Sequence, residues 1–242
     1  MTESNIFKKV SIIIPCFNEE NTIREILAKI SDEIQNFENL DFEIIIIDDA
    51  STDQTKNILD KISNNQFKIL SNKENYGKGY SLNKGIKEAT GDIILFQDAD
   101  LEYSPSDYKK LLKPILDGNA DIVFGSRFVG GDERRVLYFW HRVGNLFLTL
   151  LSNMFTNLNL TDMENGYKVF KSSSIKNILL KENRFGIEPE ITAKVAKKKY
   201  RIFEVGVSYF GRTYSEGKKI TWRDGFSAVR CILYYNFFSD KT

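Results

Sequence analysis

The chain has 242 residues, and its 34 Lys and Arg against 33 Asp and Glu leave a formal net charge of +1, which excludes a general electrostatic attraction to nucleic acid. Hydrophobic residues make up 42% of the chain and aromatic residues 13%, so a disordered chain is excluded and a sizeable core is expected. One histidine and two cysteines exclude a zinc site built from several such side chains and indicate a reducing compartment.

The first 125 residues alternate short apolar runs with helical patterns. The strands predicted from the apolar runs are 10–14, 43–47, 67–70, 92–96 and 121–124. The helices predicted between them are 19–35, 53–62, 79–89 and 106–116, the last with Ser104-Pro105 as its entry cap. Alternation of this kind predicts an α/β fold with a parallel sheet covered by helices on both faces.

The regular alternation ends after residue 125. A stretch rich in glycine and arginine, 127–135, precedes a long amphipathic helix. The elements predicted from there on are a helix at 136–155, a strand at 167–170, a helix at 188–198, a strand at 201–205 and a helix at 223–238. No internal repeat or low-complexity linker interrupts the chain, so we expect a single domain over residues 1–242.

The sequence predicts neither a secretory signal nor a membrane-spanning helix. Residues 1–9 are polar, and the apolar run at 10–15 has only the length of a strand. One His, one Arg and four Asn interrupt residues 136–160, which therefore lack the run of about 18 apolar residues that a span needs. We expect a cytoplasmic protein that is soluble or bound to the cytoplasmic face of a membrane.

Acidic residues follow three of the predicted strands. The first strand ends in Pro15-Cys-Phe-Asn-Glu19, the second in Asp48-Asp49 and the fourth in Asp98-Ala-Asp100. Ligands of α/β proteins lie beyond the carboxyl ends of the strands, so we expect these side chains at one functional edge. Grouped carboxylates suit a ribose and a hard divalent cation, whereas they would repel a bare diphosphate.

Asp98 and Asp100 give the sharpest of these signals. Residues two apart in an extended chain point to the same side, so the two carboxylates can converge on one ion. Ligands that are all oxygen indicate Mg²⁺ or Mn²⁺, and Mg²⁺ typically uses one or two carboxylates together with substrate phosphates. The alternative is an acidic turn that caps the helix near Ser106.

Glycines and cations provide further candidate phosphate ligands. Asn75-Tyr-Gly-Lys-Gly79 opens the third predicted helix, where glycines let a phosphate approach backbone N–H groups and Lys78 would add charge. Arg127 follows the fifth strand, and Arg212 and Lys218 lie in a late polar loop. Such cations make sense beside an acidic metal site if a diphosphate lies between them. The alternatives are a plain glycine turn and solvated surface cations.

Six motifs in order along the chain can now be compared with a known family. They are Ile14-Pro-Cys-Phe-Asn-Glu19, Ile47-Asp-Asp-Ala-Ser-Thr-Asp53, Gly77-Lys-Gly79 with Gly85, Ala89 and Gly91, Asp98-Ala-Asp100-Leu101, Gly125-Ser-Arg127-Phe128 and Arg212-Thr-Tyr-Ser-Glu-Gly-Lys218. The set resembles the family 2 inverting glycosyltransferases with the GT-A fold, and within them the polyprenol-phosphate (dolichol-phosphate) mannose and glucose synthases. The resemblance implies a GT-A fold with a mostly parallel central sheet and helices on both faces.

The resemblance also implies roles for the residues that match its motifs. The residues expected to hold the nucleoside are Pro15, Phe17, Glu19, Ile47 and Asp49. Those expected around the diphosphate and the metal are Lys78, Asp98, Ala99, Asp100 and Glu102, of which Asp98, Asp100 and Glu102 would be the metal ligands. Those expected on phosphates of the donor or the acceptor are Arg127, Arg212 and Lys218. Those expected to be catalytic are Asp98, Asp100 and Arg127.

Three departures from the family pattern bear on these roles. Phe17 stands where the family has Tyr, which keeps stacking but removes a hydroxyl, and Glu102 stands where the close synthases have Gln, which adds charge near the metal. In the late loop Ser215 replaces a Gly and Gly217 a Ser. These differences concern the donor base and the metal preference rather than the class of protein.

The implied reaction is the transfer of mannose or glucose from a GDP- or UDP-sugar to a polyprenyl phosphate, with Mg²⁺ or Mn²⁺ as cofactor. The resemblance divides the domain into a nucleotide-sugar half at 1–125, an acceptor half at 126–220 and a terminal amphipathic helix at 221–242. A lipid phosphate is already anionic and needs cations rather than a base. We therefore expect Arg127 and Arg142 to hold the acceptor, with Arg134 or Arg135 as alternatives to Arg142. The apolar face of the helix after Arg135 would take the isoprenoid, or it is ordinary cover for the core.

Three other functions stay open. A family 2 transferase with a sugar-hydroxyl acceptor, in surface polysaccharide or glycan synthesis, would use Asp162, Glu164 or Glu188 as its base. A sugar-1-phosphate nucleotidyltransferase would need a loop rich in Gly and Arg directly after the first strand, which 15–19 is not. A non-catalytic module that binds nucleotide sugars would not need two aspartates at 98–100.

The terminal helix predicts contact with a membrane surface. The apolar residues expected on one of its faces are Phe226, Val229, Ile232, Leu233, Phe237 and Phe238. Arg223, Arg230 and Lys241 would then meet anionic lipid. The alternatives are that this face packs on the sheet or on a second copy of the chain in a homodimer.

Overall fold

Seven strands form one sheet in the part of the chain that the computed structural model describes, namely residues 7–62, 66–131, 133–136, 138–213, 216 and 222–239. The strands are β1 (Lys9–Cys16), β2 (Asp41–Asp48), β3 (Phe67–Ser71), β4 (Ile93–Phe96), β5 (Ile122–Ser126), β6 (Lys168–Lys171) and β7 (Ile202–Gly206). Their order in the sheet is β3-β2-β1-β4-β6-β5-β7. Only β6 runs antiparallel to its neighbours among these strands, so the predicted, mostly parallel sheet is confirmed.

Helices precede or follow most of these strands. The helices within the described residues are α1 (Ile23–Ile34), α2 (Thr55–Ile62), α3 (Lys78–Glu88), α4 (Tyr108–Leu116), α5 (Phe139–Thr156), α6 (Ser172–Lys176), α7 (Ile187–Lys197) and α8 (Trp222–Phe237). A short 3-10 turn, Pro105–Asp107, leads into α4. The Ser104 hydroxyl accepts a hydrogen bond from the N–H of Ser106 at 3.4 Å, so the predicted entry cap is present.

Alternate residues of β1 enter two separate cores. Ile12 and Ile14 belong to one apolar cluster and Ile13 to another, and all three side chains are fully buried. Successive side chains of a strand point to opposite faces, so an apolar run buries both faces of the sheet. Burial of each such side chain contributes about 1.5–3 kcal/mol relative to exposure. The continuous apolar sequence of β1 therefore places this strand in the middle of the sheet, with helices on both sides.

Two predicted helices begin three or four residues later than expected. The helix expected at 19–35 begins at Ile23, because the carbonyl of Glu19 accepts the N–H groups of Thr22 and Ile23 and the residues before them form a loop. The helix expected at 136–155 begins at Phe139. The helix α6 was not predicted, because five residues are too few to show a helical period.

The helices α5 and α8 expose much of their apolar surface. The exposed apolar residues of α5 are Phe139, Trp140, Val143, Leu146, Phe147, Leu150 and Met154, and those of α8 and its end are Phe226, Leu233, Tyr234, Phe237 and Phe238. The rings of Phe155 and Phe237 lie 4.8 Å apart and join the two helices. Because these α5 residues are exposed, α5 is not simply cover for the core. Of the apolar residues predicted on one face of the terminal helix, Ile232 is fully buried, which agrees with the alternative that part of this face packs inside the protein, whereas Phe226, Leu233, Phe237 and Phe238 are exposed. No described helix is both long and apolar enough to span a bilayer.

Candidate active site

The two aspartates that follow β4 are each paired with a cation. Lys78 Nζ lies 2.8 Å from Asp98 Oδ1, and Arg212 Nη2 lies 2.9 Å from Asp100 Oδ2. Lys78 is the first residue of α3, and Arg212 follows β7 in the chain. The fold therefore brings together, at the carboxyl edge of the sheet, four residues from three distant segments that were all predicted to bind the donor.

Arg212 is also held by two glutamates. Its Nη1 and Nη2 donate to the two carboxylate oxygens of Glu19 at 3.1 and 3.2 Å, and its backbone N–H donates to Glu102 Oε1 at 2.7 Å. The hydroxyl of Tyr209 donates to Glu102 Oε2 at 2.9 Å. Burial would lower the pKa of Arg212, but the carboxylates of Asp100 and Glu19 hold it above its ordinary value. The guanidinium therefore stays charged.

Glu102 is engaged by other partners than Asp98 and Asp100, and its role as a third metal ligand stays a prediction. Its oxygens accept hydrogen bonds from Tyr209 and Arg212 instead. Across the described part of the chain, no three His, Cys, Asp or Glu side chains are placed to hold a metal ion together. Carboxylates that share a buried site repel one another, and here the guanidinium lies among them. The role of Asp98 and Asp100 as a pair of ligands stays a prediction.

The chemistry of this edge suits a divalent cation that arrives with a diphosphate. Burial, and then the carboxylates of Asp98 and Glu102, raise the pKa of Asp100. Four carboxylates, those of Glu19, Asp98, Asp100 and Glu102, are thus grouped around Lys78 and Arg212. Hard divalent cations prefer carboxylate oxygens completed by substrate phosphates. The residues present thus fit Mg²⁺ or Mn²⁺ on Asp98 and Asp100.

A chain of ion pairs continues from Asp98 into the protein. Lys78 Nζ lies 3.4 Å from Glu188 Oε1, and Glu188 Oε2 accepts a hydrogen bond from Lys168 Nζ. Lys168 is fully buried and also donates to the carbonyl of Asn165 at 2.5 Å. Burial would lower the pKa of Lys78, but the carboxylates of Asp98 and Glu188 hold it above its ordinary value.

Gly166 allows the close approach of Asp98 to the backbone. A Cβ at this position would lie 2.3 Å from Asp98 Oδ2 and 3.3 Å from Lys78 Nζ. Any side chain would therefore displace the Asp98 carboxylate from its pair with Lys78. Sequence reasoning missed this residue because a single glycine outside the compared motifs carries no local signal.

The residues predicted to hold the nucleoside lie where β1 and β2 end. Pro15 pairs with Ile47 across the two strands, and the loop beyond them holds the half-buried Phe17. Asn18 has a left-handed backbone, with φ of 50°, and its Oδ1 accepts the N–H of Thr52 at 2.8 Å. This bond joins the two strand-end loops. The contact of these residues with a nucleoside stays a prediction.

Asp49 fixes the glycine loop before α3. Its carboxylate accepts the N–H groups of Gly77 at 2.7 Å and Tyr76 at 3.1 Å, and the side-chain amide of Asn72 at 2.7 Å. Gly77 has φ of 104°, and a Cβ there would lie 2.6 Å from the carbonyl of Asn183. The sequence thus requires glycine at this turn. A contact between Asp49 and base or ribose stays a prediction.

Three arginines surround the ring of Phe128. The guanidinium carbons of Arg142, Arg127 and Arg134 lie 5.1, 5.6 and 5.7 Å from its centroid, within the range of cation–π attraction. Arg134 Nη1 also donates to the carbonyl of Arg127 at 2.8 Å. These four residues are called the arginine cluster below. The two arginines predicted to hold the acceptor, Arg127 and Arg142, therefore lie together.

Arg127 is paired with a buried carboxylate. Its Nε and Nη2 donate to the two oxygens of Asp162 at 2.6 Å each. Burial would raise the pKa of Asp162, but Arg127 holds it below its ordinary value. A fully buried carboxylate engaged in this way is not available to accept a proton from a substrate. This finding corrects the prediction of Asp162 as a candidate general base. Sequence reasoning missed the pair, which joins residues 35 positions apart.

Glu164 is the candidate base whose pKa suits proton transfer near neutral pH. Burial, and then the carboxylate of Glu188, raise its pKa to about 7. Its Oε1 is buried and accepts no hydrogen bond from the described residues. Glu188, in contrast, is already engaged by Lys168.

Some predicted residues fall outside the described part of the chain. They are Lys218 of the late loop, its neighbours Ser215 and Gly217, and Lys241 after the terminal helix. The side chain of Arg223 is not described either. The phosphate contact predicted for Lys218 therefore stays a prediction.

The mixed seven-stranded sheet, with paired aspartates at its carboxyl edge, has the expected GT-A fold. The model of glycosyl transferase family 2 matches residues 11–179. The chain belongs to that family, and the resemblance seen in its motifs is confirmed.

Two relatives have names that include a dolichyl phosphate. The chain is 29% identical over 220 residues to a dolichol-phosphate mannosyltransferase from Pyrococcus furiosus, covering 87% of this chain and 59% of that protein. It is 27% identical over 245 residues to a UDP-N-acetylglucosamine–dolichyl-phosphate N-acetylglucosaminyltransferase from Methanococcus voltae, covering 93% of this chain and 95% of that protein.

A solved structure shares the fold. Glucosyl-3-phosphoglycerate synthase from Mycobacterium tuberculosis, in complex with Mn²⁺, UDP and glucosyl-3-phosphoglycerate, superposes with a TM-score of 0.74 at 19% sequence identity. The match covers 96% of this chain and 81% of that chain. At this identity the comparison establishes the fold.

Proposed function

We propose that the protein transfers a hexose, mannose or glucose, from a GDP- or UDP-sugar to a polyprenyl phosphate. The observation that carries the proposal is that the arginine cluster lies beside the acidic edge, the name used here for Glu19, Asp98, Asp100 and Glu102. Tyr209 contacts both regions. Its hydroxyl donates a hydrogen bond to Glu102, and the centroid of its ring lies 5.1 Å from the guanidinium carbon of Arg127. Arg142 belongs to the first turn of α5, so exposed apolar residues continue directly from the cluster. The dolichyl-phosphate names of two relatives support the same acceptor.

The residues of both regions have distinct tasks in this reaction. The acceptor phosphate is anionic near neutral pH, so guanidinium groups need only hold it in line with the anomeric carbon. Its oxygen attacks that carbon while the bond to the nucleoside diphosphate breaks. A bound Mg²⁺ or Mn²⁺ supplies Lewis-acid neutralisation of the leaving diphosphate. Lys78 and Arg212 add positive charge at the same place.

The isoprenoid would leave the arginine cluster along α5. Phe139, Trp140 and Leu146 are exposed on this helix, together with the guanidinium of Arg142. Exposed aromatic and apolar residues beside a cation suit the surface of an anionic membrane. The membrane contact first expected for the terminal helix is therefore assigned mainly to α5. The chain would work as one domain at the cytoplasmic face of the membrane.

Product analysis tests the proposal. The protein is incubated with Mn²⁺, undecaprenyl phosphate or free sugars, and GDP-mannose, UDP-glucose or UDP-N-acetylglucosamine, and the products are identified by mass spectrometry. We expect a polyprenyl phosphate sugar with one donor. Loss of this product in Arg142→Ala, but not in Arg24→Ala on the exposed side of α1, would support the assigned acceptor site. Products formed only on free sugars would contradict it.

A hydroxyl acceptor is the second candidate, because the pKa of about 7 at Glu164 suits a general base. In that case Glu164→Gln should abolish transfer to a free sugar. A lipid phosphate needs no base, so under the first proposal the same variant should keep transfer to undecaprenyl phosphate.

A further inference from the structure

Lys78 lies between two carboxylates that are unequally engaged. Its Nζ is 2.8 Å from Asp98 Oδ1 and 3.4 Å from Glu188 Oε1. Glu188 is 3% exposed, and its Oε1 accepts no hydrogen bond from the described residues. A buried carboxylate oxygen without a donor is unfavourable, so a closer approach of an ammonium to it would be stabilising.

Glu188 is held in place independently of Lys78. Its other oxygen, Oε2, accepts a hydrogen bond from Lys168. Lys168 is fully buried and is fixed in turn by the carbonyls of Asn165 at 2.5 Å and Met163 at 3.3 Å. Lys78 has the flexible four-carbon stem of a lysine, and its ammonium is the partner that can move.

We propose that Glu188 is a positioning residue that receives the Lys78 ammonium when Asp98 turns to a divalent cation. The inference rests on the proposed function, since it takes Asp98 as a ligand of that cation. An ammonium and a divalent cation compete for the same carboxylate. A shift of Lys78 toward Glu188 removes the competitor and yet keeps a positive charge beside the leaving diphosphate.

The other aspartate has the same arrangement. Arg212 is shared between Asp100 at 2.9 Å and Glu19 at 3.1 Å, so it too can leave an aspartate and keep a carboxylate partner. Lys78 and Arg212 each therefore have one partner that a metal would take and a second partner that retains them.

Binding of Mn²⁺ alone, without any donor, tests the proposal by electron paramagnetic resonance. We expect Lys78→Met to bind Mn²⁺ about tenfold more tightly, because the competing ammonium is gone. Glu188→Gln should bind it about threefold less tightly, because Lys78 then stays on Asp98. The double variant should bind Mn²⁺ like Lys78→Met. A purely structural role for these residues would weaken binding in all three variants.

Two further variants keep the test decisive if Glu188→Gln does not fold. In Lys168→Met, Lys78 is the remaining ammonium that the charge of Glu188 attracts. Lys78 should then move from Asp98 toward Glu188, so Mn²⁺ binding should tighten about threefold. Lys29→Met removes an exposed lysine on α1 and should change nothing. Unchanged or weaker Mn²⁺ binding in both Lys78→Met and Lys168→Met would overturn this inference and leave the proposed function standing. Absence of Mn²⁺ binding by the wild type would overturn the metal site of the proposed function as well.

Discussion

The acidic edge and the arginine cluster lie side by side and balance charge in opposite ways. At the edge, the carboxylates of Glu19, Asp98, Asp100 and Glu102 share two side-chain cations among the described residues, Lys78 and Arg212. At the cluster, Arg127 is paired with the buried carboxylate of Asp162, and Arg134 and Arg142 lie beside the same ring of Phe128. Grouped carboxylates suit a divalent cation, and grouped guanidinium groups suit a phosphate. Under the proposed function, the donor with its metal would bind at the edge and the acceptor phosphate at the cluster.

The two regions also differ in exposure. The side chains of Lys78 and Arg212 are only 15% and 18% exposed, whereas Arg134 and Arg142 are exposed. Buried, paired charges can shift only between partners that are already in place, whereas exposed ones can adjust more widely to a substrate. The difference suits a compact donor that is held the same way each time and a lipid that approaches from outside.

The largest effect should come from breaking the acidic edge alone. We expect Asp100→Asn to reduce sugar transfer by about 1,000-fold, because the leaving diphosphate loses its metal. Binding of an isoprenoid phosphate should not change, since the arginine cluster is intact. Transfer assays with and without EDTA measure the first effect, and thermal unfolding confirms that the variant is folded. Full activity of Asp100→Asn in EDTA would refute a metal at this edge.

Breaking the arginine cluster alone should affect the acceptor. We expect Arg142→Ala to raise the KM for undecaprenyl phosphate by about 10–100-fold and to leave donor binding unchanged. Arg142→Lys should recover part of this loss through its charge. Arg127 is a poorer test, since its replacement leaves Asp162 buried without its partner. An increase in donor KM with unchanged acceptor KM would reverse the assignment of the two regions.

Much of this comparison was predictable from local sequence. Continuous apolar runs predicted β1 and β4, and Asp98 and Asp100 follow β4 directly, so their place at the edge was expected. The antiparallel direction of β6 was not predictable, because it depends on which distant strands pair with it. The contact of Gly166 with Asp98 was not predictable for the same reason, because residues that meet only in the folded chain produce no periodic pattern in the sequence.

The membrane contact proposed for the exposed apolar residues of α5 can be tested by vesicle flotation. We expect Leu146→Ser with Leu150→Ser to reduce flotation with anionic vesicles several-fold, because two exposed apolar contacts with lipid are lost. Transfer to a short, water-soluble isoprenoid phosphate should be unaffected. Leu179→Ser is the matched control, since Leu179 is 66% exposed elsewhere on the surface. Equal flotation of all variants and the wild type would remove α5 from the membrane contact.

The smallest expected effect concerns the stability contributed by Glu164, whose pKa responds to both Glu188 and Arg127. Because its folded pKa of about 7 exceeds its ordinary value of 4.5, the unfolded chain releases this proton first, and stability falls as pH rises from 4.5 to 7. Glu164→Gln should remove that fall, on the order of 1–3 kcal/mol. Urea unfolding of both proteins at pH 5 and pH 8 measures it. An equal pH dependence in both proteins would contradict the raised pKa.

The separation of the two regions is tested most directly by calorimetric binding of farnesyl phosphate, a short isoprenoid phosphate, in EDTA. The wild type and Asp100→Asn should bind it equally, whereas the double variant Arg134→Ala, Arg142→Ala should not bind it. A nucleoside diphosphate should bind the double variant normally and only in the presence of Mn²⁺. Farnesyl phosphate binding that requires Mn²⁺, or that survives loss of both arginines, would contradict an acceptor site at the arginine cluster.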